Sequence, residues 1–516
     1  MIRSFLTVSS GTLASRLLGF LRDSMIAALL GAGPVADAFL VAFQLVNVAR
    51  RLLSEGALNA ALVPAWLRLR DIDRAAAAGF AGRVLGTISA ALIAITVVIG
   101  VVMPVVITVL APGFVGTQTL QLAVDNARLM LPYLAFAGPS TVLLALASGQ
   151  GRFFLTAFSP LLFNIVLIAA MVVLIVMHRD ASFVAMALAA TVGIAGLMQV
   201  SMLALSWGEP IATPLRVSFD AEMRGFLTRA IPGMVASSAP QLLIVAGAII
   251  ASSSPSAVSW LYFANRLIEL PLGIVGVAMG TVLIPEMTRA LHGDDKGAIT
   301  NAESRALELA VGLALPATLG LIALSEPIVR LLFERGAFTA ADTQSTANAL
   351  IWLSLGLPAH VLVKTFSPAF FAREDTYVPL AAALKGFVVA IVLAVLLGHF
   401  FGASGIAAAI ACGAWSSALS LIRHGSATFG LSLDAAARRR LPLIAAAALL
   451  MGGPLWFAAD LTAGAFTHGL AQAALLLGLI AAAIAAYGAL LALFGVTGWR
   501  GVVNVVRRGK TGDLRP

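Results

Sequence analysis

The stretch that decides the fold begins Ser15-Arg16-Leu17-Leu18-Gly19-Phe20-Leu21-Arg22-Asp23, passes Asp37 and ends Arg50-Arg51-Leu52-Leu53-Ser54-Glu55. It places four arginines and three carboxylates in otherwise apolar sequence. Ionisable groups at membrane depth are costly and usually face an internal cavity rather than lipid. The stretch is therefore predicted to be the working part of a membrane protein.

The composition of the whole chain predicts an all-α polytopic membrane protein. Its 516 residues are 60% hydrophobic and 11% charged, with a mean hydropathy of +0.99. A soluble protein carries about 25% charged residues. The single cysteine, Cys412, excludes an intrachain disulfide framework and a cysteine metal cluster. The net charge of +9 follows from membrane topology and does not indicate a nucleic-acid partner.

The apolar runs give the expected number of membrane spans. A spanning helix needs about 20 apolar residues, which yields about 14 candidates. They lie near residues 6–31, 36–64, 83–110, 122–148, 155–177, 182–206, 223–251, 257–288, 304–325, 345–371, 377–398, 404–423, 441–459 and 470–495.

The distribution of basic residues predicts the orientation. With the N-terminus inside, the inner segments collect most of the Lys and Arg, and the outer loops hold only Arg179, Arg330 and Arg335. Cytoplasmic ends of spans collect basic residues, so both termini are expected in the cytoplasm.

A faint internal repeat links the two halves of the chain. The sequence 57–64 at the end of the second span resembles 277–285 at the end of the eighth. A shift of six spans preserves orientation, so the repeats are parallel. In transporters with this plan the substrate site lies at the interface of two helix bundles.

The charges expected inside the membrane sum to a positive excess. The basic members are Arg16, Arg22, Arg50, Arg51, Arg266 and Lys364, and the acidic members are Asp23, Asp37, Glu55 and Glu269. This excess favours an anionic ligand such as a phosphate or pyrophosphate, because the planar guanidinium matches phosphate oxygens in a bidentate manner.

Helical spacing predicts which of these charges pair. Arg266 and Glu269 are spaced i,i+3, and Arg51 and Glu55 are spaced i,i+4, so each pair can meet on one face. We interpret the second pair as a neutralising ion pair at a helix end. Adjacent residues do not face each other, so Arg22 and Asp23 are expected not to neutralise each other fully.

No catalytic constellation is evident in the sequence. We find no phosphate-cradling loop, no metal-spaced His/Glu set and no nucleophile beside a base, which favours a transporter over an enzyme. Among transporters, a drug exporter would need cavity carboxylates rather than arginines. A membrane glycosyltransferase would need acidic residues in an aqueous loop, and a cell-wall scaffold would tolerate Arg22→Ala and Arg266→Ala.

Several motifs resemble the lipid II flippase family (MurJ, also called MviN) of the MOP superfamily. They are Ser15-Arg16-x-Leu18-Gly19-Phe20-x-Arg22-Asp23, Asp37-Ala38-Phe39-x-Val41-Ala42-Phe43, Arg50-Arg51-x-x-x-Glu55-Gly56-Ala57, Leu131-Pro132-Tyr133, Ser159-Pro160-x-x-x-Asn164, Asn265-Arg266-Leu267, Leu332-Phe333-Glu334-Arg335-Gly336-Ala337-Phe338 and Phe371-Ala372-Arg373-x-Asp375-Thr376.

The resemblance implies an architecture and an activity. It implies two six-helix lobes in a parallel pseudo-repeat, 1–210 and 211–428, and a third part, 429–516, with two helices forming a lipid-tail groove and a basic cytoplasmic tail. It also implies alternating-access export of lipid II across the bacterial inner membrane for peptidoglycan synthesis. The expected partners are lipid II, membrane lipids and the peptidoglycan synthesis machinery. A flippase for another undecaprenyl-linked polysaccharide and a MATE-like exporter are the alternatives.

The resemblance also assigns roles to the charged residues. The expected substrate-binding residues are Ser15, Arg16, Arg22, Asp23, Arg50, Arg266 and Lys364. The expected cavity-charge and gating residues are Asp37, Arg51, Glu55 and Glu269.

The sequence departs from the family pattern at three points. Val46 replaces a usual proline, so the second helix is expected to bend less. Some relatives bind sodium in the second lobe, where this chain has Gly247 and Ala390. We therefore expect no cofactor and no sodium site. Lys385 either supplies a fixed positive charge there or snorkels towards the interface.

Overall fold

The computed structural model describes residues 2–54, 57–206, 212–237, 247–278, 296–371, 373, 375–429, 434–462 and 469–496. The first ten helices, in chain order, are α1 (Ile2–Leu30), α2 (Pro34–Ser54), α3 (Ala57–Ile72), α4 (Arg74–Val101), α5 (Met103–Leu110), α6 (Gln118–Met130), α7 (Pro132–Gly149), α8 (Phe153–Met177), α9 (Ala181–Leu205) and α10 (Ala221–Ser237).

The remaining helices follow after residue 256. They are α11 (Ala257–Ala278), α12 (Lys296–Ala323), α13 (Ser325–Phe333), α14 (Ala340–Ser354), α15 (Leu357–Phe371), α16 (Tyr377–Phe429), α17 (Ala435–Thr462) and α18 (Leu470–Leu493).

Length and composition of these helices confirm the predicted all-α, multi-pass membrane fold. In the described part, eight helical stretches are long and apolar enough to cross a membrane, or nine if α14 and α15, bent by 42°, form one span. Every predicted apolar run falls at least partly on a described helix. α16 carries two predicted spans, and its kink at Gly402 (φ 56°, ψ −135°) lies between them.

A proline marks the interruption of one of the predicted spans. The run 83–110 is divided into α4 and α5 at Val102, where Pro104 opens the new helix. Proline has no amide hydrogen and is suited to the first turn of a helix, so the break falls just before it.

The chain forms two compact units, which we describe separately. The first unit is Met1–Phe263 with Phe333–Asp342, and the second unit is Ala264–Leu332 with Thr343–Pro516. The lobe boundaries 1–210, 211–428 and 429–516 rest on the sequence repeat and the resemblance, and they stay predictions.

The first unit is built from helices that pack across the chain. α1 packs on α8, α2 on α6, and α7 on both α4 and α9. A core of Leu62, Trp66, Phe80, Leu146 and Phe226 joins α3, α4, α7 and α10. This packing holds the charge-bearing helices α1 and α2 against apolar neighbours.

The linker 212–220 lies along α4. Thr87 Oγ1 accepts a hydrogen bond from Ser218 N at 3.0 Å. Arg83 forms ion pairs with Asp220 and Glu222. Hydrogen bonds from the amide of Met223 and from Ser218 hold the pKa of Asp220, which precedes α10, below its ordinary value. The linker is thus fixed to a helix that lies far away in sequence.

The second unit is organised around α12. This helix packs on α15, α17 and α18, and α15 packs on α16. Leu324, Leu455 and Leu476 form a small core that joins α12, α17 and α18. Tyr487 Oη adds a polar link by donating to Gly312 O at 2.8 Å.

Gly82→Ala is expected to lower the thermal unfolding midpoint of the detergent-solubilised protein. The added Cβ would lie 2.4 Å from Pro214 O in the linker, and overpacking costs about 1–3 kcal/mol. Gly79→Ala is the matched control in the same helix, because its Cβ would meet no atom within 4 Å. The control should be neutral or slightly stabilising, since alanine favours helix. Equal midpoints for the two variants would contradict the packing of the linker on α4.

Candidate functional site

Arg22 and Asp23 form a buried ion pair on α1. Arg22 NH2 and Nε both donate to Asp23 Oδ1, at 2.7 and 2.9 Å. Only 7% of Arg22 is exposed, and Asp23 is fully buried. The expectation that these neighbours would not neutralise each other fully is wrong. The two side chains leave the helix in different directions, but the long arginine side chain folds back onto the adjacent carboxylate.

Asn164 on α8 completes the polar surroundings of this pair. Its Oδ1 accepts a hydrogen bond from Arg22 NH1 at 2.9 Å, and its Nδ2 donates to the carbonyl of Ser15 at 3.2 Å. Asn164 is not among the predicted site residues. The sequence indicates only a polar side chain in an apolar span, because α1 and its packing partner α8 lie far apart in the chain.

Aromatic rings surround the guanidinium. Arg22 Cζ lies 5.1 Å from the ring centre of Phe43 and 5.9 Å from that of Phe163. Tyr262 Oη donates to Asp23 Oδ1 at 3.4 Å. Aromatic faces attract cations, so they help to hold a charge at membrane depth. Sequence reasoning missed these rings because they belong to three different helices.

The Arg22 cluster is therefore Arg22, Asp23, Asn164 and Tyr262 with the two phenylalanine rings. Three of the five N–H donors of the guanidinium point to protein oxygens. A phosphate could bind the fork by replacing Asp23 and Asn164 as the acceptor, because charged acceptors make the strongest such bonds. The arrangement suits reversible anion binding, with Asp23 as the resting partner.

The structure describes only some of the other predicted site residues of the first stretch. Arg16 on α1 and Arg50 on α2 are partly buried. Arg51 lies on α2, but its side chain is outside the described part of the structure, and Glu55 is outside the described residues. The predicted ion pair between Arg51 and Glu55 therefore stays a prediction.

Asp37 makes a separate buried contact. It lies in the first turn of α2 and is 2% exposed. Its Oδ2 accepts a bond from Ser256 N at 2.9 Å, and its Oδ1 accepts from Ser259 N at 2.9 Å and from Ser259 Oγ at 2.5 Å. Asp37 thus caps the N-terminus of α11, where free amide donors and the helix dipole favour a carboxylate.

The segment 333–342 packs beside this contact within the first unit. Ala337 N donates to Ala28 O at 2.8 Å at the end of α1. Gly336 has φ +61°, and a Cβ there would lie 2.3 Å from Ala28 O, so this close approach requires glycine. Trp260 Nε1 donates to Asp342 Oδ1 at 3.0 Å. These contacts join the ends of α1, α2 and α11.

The second unit carries the remaining predicted charges. Arg266 NH1 lies 2.6 Å from Glu269 Oε2 on α11, with about a quarter of each side chain exposed. The predicted i,i+3 pair is confirmed. Lys364 lies on α15 and is exposed. The structure thus brings together Ser15, Arg22 and Asp23 in one unit, and Arg266 and Glu269 in the other.

The two positions that correspond to sodium ligands in some relatives carry no side-chain oxygen in this chain. Gly247 and Ala390 are both buried, and Lys385 is exposed on α16. Among the described residues no group of three or more His, Cys, Asp or Glu could hold a metal ion. The absence of sodium coupling stays a prediction.

Arg22→Ala is expected to lower stability strongly, because it removes the positively charged partner of the buried Asp23 carboxylate, and breaking a buried ion pair costs about 3–5 kcal/mol. The double variant Arg22→Gln/Asp23→Asn removes both charges and keeps hydrogen-bonding groups. It should regain at least half of that loss in thermal unfolding. A double variant as unstable as the sum of its two single variants would contradict the pairing.

Asp37→Ala is expected to cost more than about 2 kcal/mol, because it removes the acceptor of three donors, two of them in buried contacts. Asp180 is the matched control: it caps α9 by accepting from Phe183 N at 3.1 Å, and it is exposed. Asp180→Ala should cost about 1 kcal/mol. Equal losses in thermal unfolding would show that the buried contact with α11 adds nothing.

Comparison with known proteins identifies the family to which the chain belongs. A family profile described as "Lipid II flippase MurJ" matches residues 26–477. A protein of Rhizobium meliloti named "Probable lipid II flippase MurJ" is 36% identical, covering 98% of this chain and 96% of its own.

Solved structures show the same fold. One titled "Lipid II flippase MurJ, inward closed conformation" has a TM-score of 0.80 at 22% identity, covering 96% of this chain and 100% of its own. An inward-facing MATE transporter of the MOP superfamily has a TM-score of 0.67 at 16% identity, covering 83% of this chain and 95% of its own. On the family match and the full-length relative, the chain belongs to the lipid II flippase MurJ family.

Proposed function

We propose that the chain is a lipid II flippase, a transporter and not an enzyme. It moves undecaprenyl-pyrophosphoryl-MurNAc-pentapeptide-GlcNAc from the cytoplasmic to the periplasmic leaflet by alternating access, for peptidoglycan biosynthesis. Membership of the family supports this activity. The observation that supports particular residues is the Arg22 cluster, in which a buried arginine donates to Asp23 and to Asn164.

The pyrophosphate is the part of the substrate that this chemistry recognises. A charged residue within a span is expensive and usually functional. In the resting state Asp23 and Asn164 satisfy Arg22. We propose that the pyrophosphate displaces these acceptors, with Ser15, Arg16, Arg50, Arg266 and Lys364 as further groups of the site. Release returns Arg22 to Asp23, so an empty site never leaves the arginine without an acceptor.

The Asp37 contact supports a gating role for this carboxylate. It links α2 to the N-terminus of α11 through three hydrogen bonds. We propose that the contact forms when the outer end is closed and breaks when that end opens. Arg51, Glu55 and Glu269 complete the proposed set of cavity and gating charges.

The membrane potential is the proposed driving force for resetting the empty site. Each positive charge that moves across the membrane potential contributes roughly 2.3 kcal/mol per 100 mV. A cationic site that has released its anion would therefore be drawn back towards the cytoplasm. We propose this reset in place of a sodium cycle.

The last two helices support a role in accommodating the lipid tail. On α18 only Gln472 and Leu476 are buried, and the rest of this apolar helix is partly or fully exposed. Such a surface suits a polyprenyl chain beside the second unit. Residues 497–516 of the proposed basic tail are outside the described residues.

The proposed location is the bacterial inner membrane, with both termini in the cytoplasm. The asymmetry of Lys and Arg supports this orientation. Handover to the peptidoglycan synthesis machinery on the outer side is a further part of the proposal.

Translocation of lipid II in cells depleted of their own flippase tests this function. Arg22→Lys keeps a positive partner for Asp23 but loses the bidentate fork, and should slow translocation by about tenfold. Arg423→Lys, at an exposed arginine, is the matched control and should leave the rate unchanged. The amount of each variant in the membrane is measured in parallel.

Three outcomes would contradict the proposal. Full translocation by Arg22→Lys at equal membrane abundance would remove the fork from the mechanism. Translocation of a different undecaprenyl-linked saccharide by the wild type, without lipid II, would favour the alternative polysaccharide flippase. Export of drugs that depends on carboxylates alone would favour the MATE-like alternative.

A further inference from the structure

A cavity lies entirely within the second unit. Its volume is about 230 Å³, and it is formed where α12 and α17 end and where α13 and α18 begin, with α14 along one side. Its lining combines charged, amide, indole and aliphatic side chains. None of the proposed pyrophosphate-binding residues lines this cavity.

Gln472 is the least expected residue of the lining. The sequence of α18 is otherwise almost entirely apolar, with Tyr487 as its other hydrogen-bonding side chain. Tyr487 is explained by its bond to Gly312 O. Gln472 is 7% exposed, lines the cavity, and has no hydrogen bond to another described residue. Its amide group therefore faces the cavity and can hydrogen-bond to a polar ligand there.

The charges around the cavity favour a cationic group. Glu326 and Arg330 form an ion pair across one turn of α13 and largely neutralise each other. Asp460, near the end of α17, is exposed and adds a second carboxylate. The lining therefore carries a net charge of −1, which opposes a purely anionic ligand. The indole of Trp456, 59% exposed, adds a surface that attracts cations.

Beyond Gln472, the side of the cavity formed by α18 is apolar. Leu475, Leu476 and Leu479 lie three, four and seven residues after Gln472 and so share its face of α18. The residues of α18 on its other faces, such as Leu477 at 66%, are largely exposed. The polar floor of the cavity thus continues into an aliphatic surface, which is the pattern that an amphiphile needs.

The position along the helices agrees with a lipid ligand. α17 begins with Arg438, Arg439 and Arg440, and the cavity lies at its other end. Basic residues mark the cytoplasmic ends of spans, so the cavity lies at the outer interface, at head-group depth. Tryptophan is enriched at this depth.

We propose that this cavity binds the head group of a zwitterionic phospholipid with a primary ammonium, such as phosphatidylethanolamine. The ammonium donates to Asp460 and to the amide oxygen of Gln472, and Arg330 attracts the phosphate. The acyl chains follow the aliphatic face of α18. The site would thus make the second unit sensitive to the lipid composition of the outer leaflet.

Native mass spectrometry of the full chain tests this site. The detergent-purified protein is incubated with an equimolar mixture of phosphatidylethanolamine, phosphatidylcholine and phosphatidylglycerol. Phosphatidylethanolamine should be retained about fivefold to tenfold over the other two, because choline has no N–H donors and glycerol adds no positive charge. Gln472→Leu and Asp460→Asn should each abolish most of this preference.

Tyr487→Phe is the matched control, because it alters the other polar residue of α18 outside the cavity lining; it should keep the preference. Glycerophosphoethanolamine, the same head group without acyl chains, should fail to displace the lipid at equal concentration. Equal retention of the three lipids, an unchanged preference in both cavity variants, or displacement by the soluble head group would each overturn the proposal. None of these readouts requires lipid II translocation.

Discussion

The structure depends on keeping a positive charge inside an apolar helix bundle. Arg22 is tolerated because Asp23, Asn164 and two aromatic rings surround it. A buried ion pair seldom adds net stability, since the loss of hydration offsets most of the attraction. Retaining such a pair in a span is therefore best explained by function. We propose that Asp23 keeps the arginine hydrogen-bonded until an anionic ligand replaces it.

The same constraint shapes the contact made by Asp37. A carboxylate with 2% exposure is held because the N-terminus of α11 supplies two amide donors and Ser259 supplies a hydroxyl. Backbone and side chain thus satisfy each other where water is scarce. Such a contact is strong when formed and leaves several groups unsatisfied when broken, which favours two discrete states over a continuum.

The sequence predicted features that depend on composition and local spacing. Apolar runs predicted the helices, and i,i+3 spacing predicted the pair between Arg266 and Glu269. Sequence reasoning failed where the length of a side chain or a tertiary contact determines which residues pair. Helical geometry separated Arg22 from Asp23, but the flexible arginine closes the gap. The partners of Asp37 lie more than 200 residues away. The Ser256–Ser259 spacing before an apolar run was nevertheless a readable sign of a helix start.

The central claim is that the Arg22 cluster recognises pyrophosphate. The most direct measurement is the affinity of the purified protein in nanodiscs for undecaprenyl pyrophosphate and for undecaprenyl monophosphate. The account predicts that the wild type prefers the pyrophosphate by about tenfold or more, and that Arg22→Gln/Asp23→Asn loses this preference while still binding the lipid tail. Equal affinities in the wild type, or a preference that survives in the double variant, would contradict it.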